Sequence, residues 1–230
     1  MNRRLGRLLI TALLVLSNGL ADGARGASSA ETYDFSANGA DLPISATTEF
    51  FGYESNPDLS NTAQHEIGHA LGFTVSYTLF NANVSVLGGG PNRQYKDKDD
   101  GTVLAHLGPA GGGTHMLVGV TVDGNNQTND IMRPDQVVGQ TWGGQDTKIL
   151  QDAFDWQDYN ITVDIIFGTA FTLAQRNTIT AAAATVSSAL GTGATAHTFT
   201  WTVIPEPGTS SLLGAGLLGL VLRARKAGRS

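Results

Sequence analysis

His65-Glu66-Ile67-Gly68-His69 is the segment of this 230-residue chain whose residue types and spacing could do chemistry. On a helix, side chains four residues apart lie on one face, one turn apart. Two imidazoles so placed can reach one ion at about 2.0–2.1 Å, the usual zinc–nitrogen distance. Glu66 projects beside that ion, where a carboxylate can take a proton from water that zinc has made acidic. Hydrolysis of an amide near neutral pH needs both parts, and one helical turn supplies both. The expectation is a metal on His65 and His69 with Glu66 as general base.

The flanking residues predict the helix that must hold these groups. Ala63, Ile67, Ala70 and Leu71 fall at i, i+4, i+7 and i+8, a core-facing stripe that leaves the histidines free to face a cleft. Ser60 or Asn61 suits the N-cap, with Gln64 three residues after Asn61 as in a capping box. Gly72 stands where a helix stop wants a left-handed residue.

Two protein ligands leave a catalytic zinc site short of its usual three. The chain has no cysteine, so disulfides and thiolate sites are ruled out. The remaining histidines are His106, His115 and His197. His115 is preferred by placement, because it follows the Gly111-Gly112-Gly113 loop, where backbone can approach closely. His197 lies on a threonine-rich strand and reads as structural or surface.

Gln64 to Phe73 (Gln-His-Glu-Ile-Gly-His-Ala-Leu-Gly-Phe) resembles the zinc helix of the metzincin metallopeptidases. The third His of the commonest metzincin pattern would fall at Val75, which cannot bind zinc. The leishmanolysin-like variant, with an insertion before the third His, accommodates this departure. In that variant a third His and then a Met-x-Pro turn follow, an order matched by His115 and Met132-Arg133-Pro134. Met132 would then be the Met-turn residue under the zinc, and Asp146 to Trp156 resembles the helix after it. The resemblance covers about residues 61–157. It implies a zincin-type domain, a Zn2+ cofactor and a peptide or protein substrate. Fewer residues precede the zinc helix than the family's upper sheet needs. The strand–helix–strand pattern at 160–203 is expected to complete that sheet from the C-terminal side.

The two ends read as export signals. Arg3, Arg4 and Arg7, the apolar run Leu8 to Leu16 and small residues follow the order of a signal peptide over residues 1–27. At the other end Pro205-Glu206-Pro207 precedes the apolar run Leu212 to Leu222 and then Arg223, Arg225, Lys226 and Arg229. This tail, 204–230, resembles the PEP-CTERM sorting signal of Gram-negative bacteria that make extracellular polysaccharide. The resemblance implies export machinery and an exosortase-type processing enzyme as partners. It implies a transient inner-membrane anchor, then the cell surface or matrix. Residues 28–203 carry six basic against eighteen acidic side chains, net −12. That charge argues against nucleic acid, which needs a basic footprint.

The expected fold class is α+β, a zincin/metzincin-like domain with a zinc helix and a small mixed sheet. Residues 28–159 form the core and 160–203 the added β-α-β unit. Strands are expected at 73–84 and Met116 to Val122, loops at 88–114, and helices at Asp146 to Trp156 and Leu173 to Leu190. The acidic groups Asp97, Asp99, Asp100 and Asp123, Asn125, Asn129 are candidate Ca2+ ligands without full calcium-loop spacing. The leading functional expectation is a zinc metalloendopeptidase. The alternatives are a non-catalytic zinc-binding surface or matrix protein, and zinc-dependent hydrolysis of a matrix polysaccharide.

Overall fold

Alternating polar and apolar residues build the main sheet. The computed structural model describes residues 32–33, 42–50, 59–108, 115–122, 124–127, 130–133, 140–168 and 171–205. The expected signal peptide, the Gly111–Gly113 loop, Asp123, Asn129, Pro134 and the tail from Glu206 lie outside them. β1 (Thr32–Tyr33), β2 (Ser45–Phe50), β8 (Tyr159–Phe167) and β9 (Thr195–Pro205) form one sheet in the order β1-β2-β9-β8. β9 runs parallel to both neighbours, and β1 is antiparallel to β2. His197, Phe199, Trp201 and Val203 alternate inward on β9 and are buried.

Residues 160–203 therefore do not stand apart from the segment before the His65–His69 helix, because β9 lies between β2 and β8. The parallel pair β8–β9 needs a crossover, which the long helix α4 (Leu173–Leu190) supplies. Thr172 caps α4: its hydroxyl accepts from Gln175 N–H at 3.3 Å, and Gln175 Oε1 accepts from Thr172 N–H at 2.8 Å. Ile179, Ala182, Ala183, Val186 and Leu190 bury one face of α4, which packs on β8 and on the helix bearing His65 and His69.

The helix that bears His65 and His69, α1, runs Leu59–Ala70, so Ser60 and Asn61 are helical rather than capping. Gln64 closes no capping box. Its amide donates to Ser60 Oγ at 3.3 Å, and its Oε1 accepts from Trp142 N–H at 2.7 Å. The expected one-sided stripe is also corrected, since every residue from Asn61 to Ala70 is buried. α1 is covered on more than one side, by α4 and β2 and by the segment carrying Met132 and Trp142.

The end of α1 is closed by partners for all four terminal carbonyls. Phe73 N–H donates to Gly68 O at 3.0 Å and Gly72 N–H to His69 O at 2.9 Å, the two bonds of a Schellman motif. The Tyr77 hydroxyl donates to Ala70 O at 3.1 Å, and Trp156 Nε1 to Leu71 O at 3.1 Å. Gly72 takes φ +125°, as the stop expected there requires.

Of the strand expected at 73–84, only Val84 is in one. Phe73, Tyr77 and Phe80 are buried at i, i+4 and i+7, and a short helix, α2 (Thr78–Ala82), precedes β3 (Val84–Val86). Aromatic packing at helical spacing overrides the β-branched composition. The stretch expected as loop holds β4 (Arg93–Lys96) and β5 (Val103–Leu107), antiparallel in the order β3-β4-β5. The charged run Lys96 to Asp100 leads into the turn between them, where Asp97 Oδ1 accepts from Asp99 N–H at 2.9 Å. Within Met116 to Val122, Met116 makes one bridge to Leu107, and β6 (Thr121–Val122) pairs with β7 (Asn125–Asn126). The helix expected at Asp146 to Trp156 is α3 (Gly144–Phe154), followed by a 3-10 turn over Trp156–Asp158.

A Cβ on Gly72 would come 2.3 Å from Phe154 Cε2 at a backbone angle that side chains avoid. Gly72→Ala is expected to cost about 2 kcal/mol or more. Urea unfolding of variant and parent measures it, and an unchanged midpoint contradicts the packing described.

Candidate metal centre

Three helix- and turn-borne imidazoles converge. His65 and His69 project from α1, and His115 comes from the segment after β5. His69 Nε2 lies 3.0 Å from His65 Nε2 and 3.2 Å from His115 Nε2. The His65 and His115 rings stack with centroids 5.2 Å apart, and the His69 ring stands edge-on to both. His65 and His69 are 5% and 6% exposed, and His115 is half-buried.

The far nitrogens decide what these short separations mean. His65 Nδ1 lies 2.7 Å from Ile131 O, and His69 Nδ1 lies 2.7 Å from Phe73 O. A carbonyl only accepts, so each Nδ1 carries the proton. Burial, with the neighbouring His115, pushes His65 down to about 3, and burial beside the other two histidines takes His69 well below its ordinary value. Both rings are then neutral near pH 7, and both Nε2 atoms are bare lone pairs facing each other. Lone pairs at 3.0 Å repel unless a cation lies between them. The edge of a tetrahedron with zinc–nitrogen arms of 2.0–2.1 Å is about 3.3 Å, close to the separations found. The donor set therefore fits a zinc-class ion, and the Nδ1–H···O=C bonds supply the outer partners that metal-binding histidines need.

Met132 is fully buried against α1. Its Sδ lies 2.6 Å from where a Cβ on Gly68 would sit, and Trp142 Cζ3 lies 2.7 Å from the same point. Gly68, between the two histidines, thus admits the sulfur and the indole directly under the helix. The turn's backbone is used as well: Ile131 O accepts from His65, and Met132 O accepts from Met116 N–H at 2.7 Å, one residue beyond His115. The turn therefore ties the first and third histidines together. Glu66 is 2% exposed on the same helix.

His106 sits half-buried on β5, its N–H donating to Gln127 Oε1 at 3.1 Å, and does not join the cluster. His197 is structural: its Nε2 lies 2.8 Å from Pro43 O and its ring packs on Trp156 and Tyr159. Of the calcium candidates, Asp97 and Asp99 gather with Asp152, their ligand atoms within 4.8 Å of one another. The Tyr95 hydroxyl donates to Asp152 Oδ2 at 2.7 Å, and Asp100 Oδ1 accepts from Thr102 N–H at 2.7 Å. These carboxylates satisfy the β4–β5 turn and tie it to α3. Asp123 and Asn129 lie outside the described residues.

Sequence reasoning missed three supporting groups. Gln64 and Trp142 join α1 to the segment before α3, and Asp146 braces the Met132 turn. The glycine between the two histidines was the available signal for close packing at Trp142 and Met132. Asp146 is fully buried in the first turn of α3, and its Oδ2 accepts from Gly143 N–H at 2.9 Å. Burial first, then the charge of Asp130, pushes Asp146 up to about 8, and burial pushes Asp130 up to about 6.

Residues 203–226 match the PEP-CTERM protein-sorting motif. No curated protein and no solved structure matches the chain significantly. The tail is thus a sorting signal, recognised by an exosortase-type enzyme, and the chain is exported and membrane-anchored before processing. Among the described residues no helix is long and apolar enough to cross a membrane.

The folded chain keeps a proton on Asp146 that the unfolded chain releases between its ordinary 3.8 and about 8. Stability therefore falls as pH rises through that window. Asp146→Asn removes this loss, so the variant's stability relative to the parent is expected to climb from pH 5 to 8, by up to about 1.4 kcal/mol per pH unit. Urea unfolding of the metal-free proteins at three pH values tests it, and a pH-independent difference contradicts it.

Proposed function

We propose that the chain is an exported zinc-dependent metallopeptidase. One observation carries the reading: His69 Nε2 lies 3.0 Å from His65 Nε2 and 3.2 Å from His115 Nε2, beside a helix that also bears Glu66. His65, His69 and His115 would hold the ion. Bound zinc supplies Lewis acidity, acidifying water and polarising the scissile carbonyl. Glu66 takes the proton from the attacking water and passes it to the leaving nitrogen. The carbonyls of Ile131 and Phe73 keep the first two rings in the tautomer that leaves Nε2 free.

The order zinc helix, third histidine, Met132 turn, helix α3 supports a metzincin-like reading. The sheet shared by β2, β9 and β8 supports an upper sheet completed from the C-terminal side, as in a circular permutation. The sorting tail supports a site of action outside the cell, and peptide or protein substrates at the surface or in the matrix are proposed with it.

One observation favours a second reading, a non-catalytic zinc protein. Burial of α1 from Asn61 to Ala70 suits a closed structural site as well as a catalytic one. Metal content and peptidase activity of residues 28–203 separate the two. The proposal predicts one zinc per chain, retained in His106→Ala and lost in His115→Ala. It predicts that Glu66→Gln keeps zinc and loses at least about a hundredfold in rate. A zinc-loaded parent without peptidase activity supports the second reading, and undiminished proteolysis by Glu66→Gln refutes the role given to Glu66.

A further inference from the structure

Asp130 leads into the Met132 turn, and Asp146 stands in the first turn of α3. Their carboxyls flank one point: a Cβ on Gly143 would lie 3.3 Å from Asp146 Oδ2 and 3.5 Å from Asp130 Oδ1. The other oxygen of each, Asp146 Oδ1 and Asp130 Oδ2, is buried without a hydrogen-bond partner among the described residues. Backbone N–H groups of Gly143, Ile131 and Met132 favour a charge on Asp146, but burial and the charge of Asp130 outweigh them. Two carboxylates side by side in a dry site cannot both stay charged. One proton resolves the conflict, because it turns an orphaned acceptor into a donor for the other carboxyl.

We propose that Asp130 and Asp146 share one proton near neutral pH, and that this bond is the clamp that aims His65 through the carbonyl of Ile131. Ile131 follows Asp130 directly, and its carbonyl lies 2.7 Å from His65 Nδ1. The clamp fixes one side of Ile131, where Gln140 Nε2 also donates to Asp130 O at 3.2 Å. On the other side, the Met132 sulfur is wedged under Gly68. His69 has a different support, since its Nδ1 lies 2.7 Å from Phe73 O in the turn set by Gly72. The pair is therefore a positioning device for the first histidine and not for the second.

Other titratable groups stand on the neighbouring elements. The turn adds Arg133, α1 adds His65 and Glu66, the segment before β6 adds His115, and α3 itself adds Lys148 and Asp152. β5 and α4, which pack on α3, add His106 and Arg176. It is Asp130 whose charge raises Asp146. When rising pH removes the shared proton, two buried like charges repel and the hold on Ile131 loosens. The functional meaning of the clamp rests on the proposed role of His65 as a metal ligand, whereas the shared proton does not.

NMR of the metal-free full chain, following solvent exchange of the His65 and His69 ring N–H protons, tests the clamp. Asp146→Leu is expected to speed exchange at His65 at least about tenfold and to leave His69 unchanged. Asp146→Asn, whose amide can donate to Asp130 as the acid does, should restore protection and keep it above pH 8, where the parent loses it. Equal acceleration at both rings, or a His65 that stays protected in Asp146→Leu, overturns the inference. Infrared spectra give a second arm that needs no disruptive variant. The parent at pH 7 should show a protonated-carboxyl C=O stretch that Asp146→Asn lacks, and a parent without that band overturns the shared proton. A chain that binds no zinc would refute the metal reading, and these two readouts would still decide the clamp.

Discussion

Two buried hydrogen bonds organise this structure: the ring N–H groups of His65 and His69 donating to backbone carbonyls of Ile131 and Phe73. Each removes the choice of tautomer and directs a bare Nε2 to a common point with His115. A buried polar group left without a partner costs about 1–3 kcal/mol, so the two buried ring N–H groups need these carbonyls. The same bonds leave lone pairs crowded together near neutral pH, an arrangement stable only with a cation among them. The fold around α1 serves to deliver those two carbonyls.

Each carbonyl has its own support. Phe73 is set by the Schellman turn at Gly72, and that turn also completes the helix end with Tyr77 and Trp156. Ile131 sits in a turn whose next residue, Met132, fits under Gly68 and accepts from Met116. Asp146 and Trp142 fix the entry to α3 beside that turn. The sheet contributes at longer range, because β9 locks the strand preceding α1 to the β8–α4–β9 crossover. The site thus rests on residues from Phe50 to Val203, although its three histidines span 65 to 115.

The convergence of His65 and His69 was legible because an i, i+4 pair depends on local spacing. The i, i+4 histidines, the glycine stop and the C-terminal strand–helix–strand are all written within single elements, and α4 has the bounds its sequence pattern suggests. The choice of His115 over His106 also agrees with where the rings converge. Illegible parts depend on tertiary partners. Thr78–Ala82 has strand-like composition but is helical because Tyr77 and Phe80 must reach the core together. Gln64 looks like a cap and instead binds Trp142, 78 residues away. Arg93–Lys96 and Val103–Leu107 are short, charged or flanked by glycine and turn residues, so periodicity could not separate them from loop.

The sorting tail and the three-histidine cluster lie in separate parts of the chain, and under the proposed function one serves delivery and the other use. The account stands on the identity of the atoms around the ion. Zinc K-edge X-ray absorption on the mature domain loaded with one equivalent reads them directly. The account predicts three imidazole nitrogens and one oxygen at about 2.0–2.1 Å. A shell of oxygens alone, or a chain that takes up no metal, would contradict it.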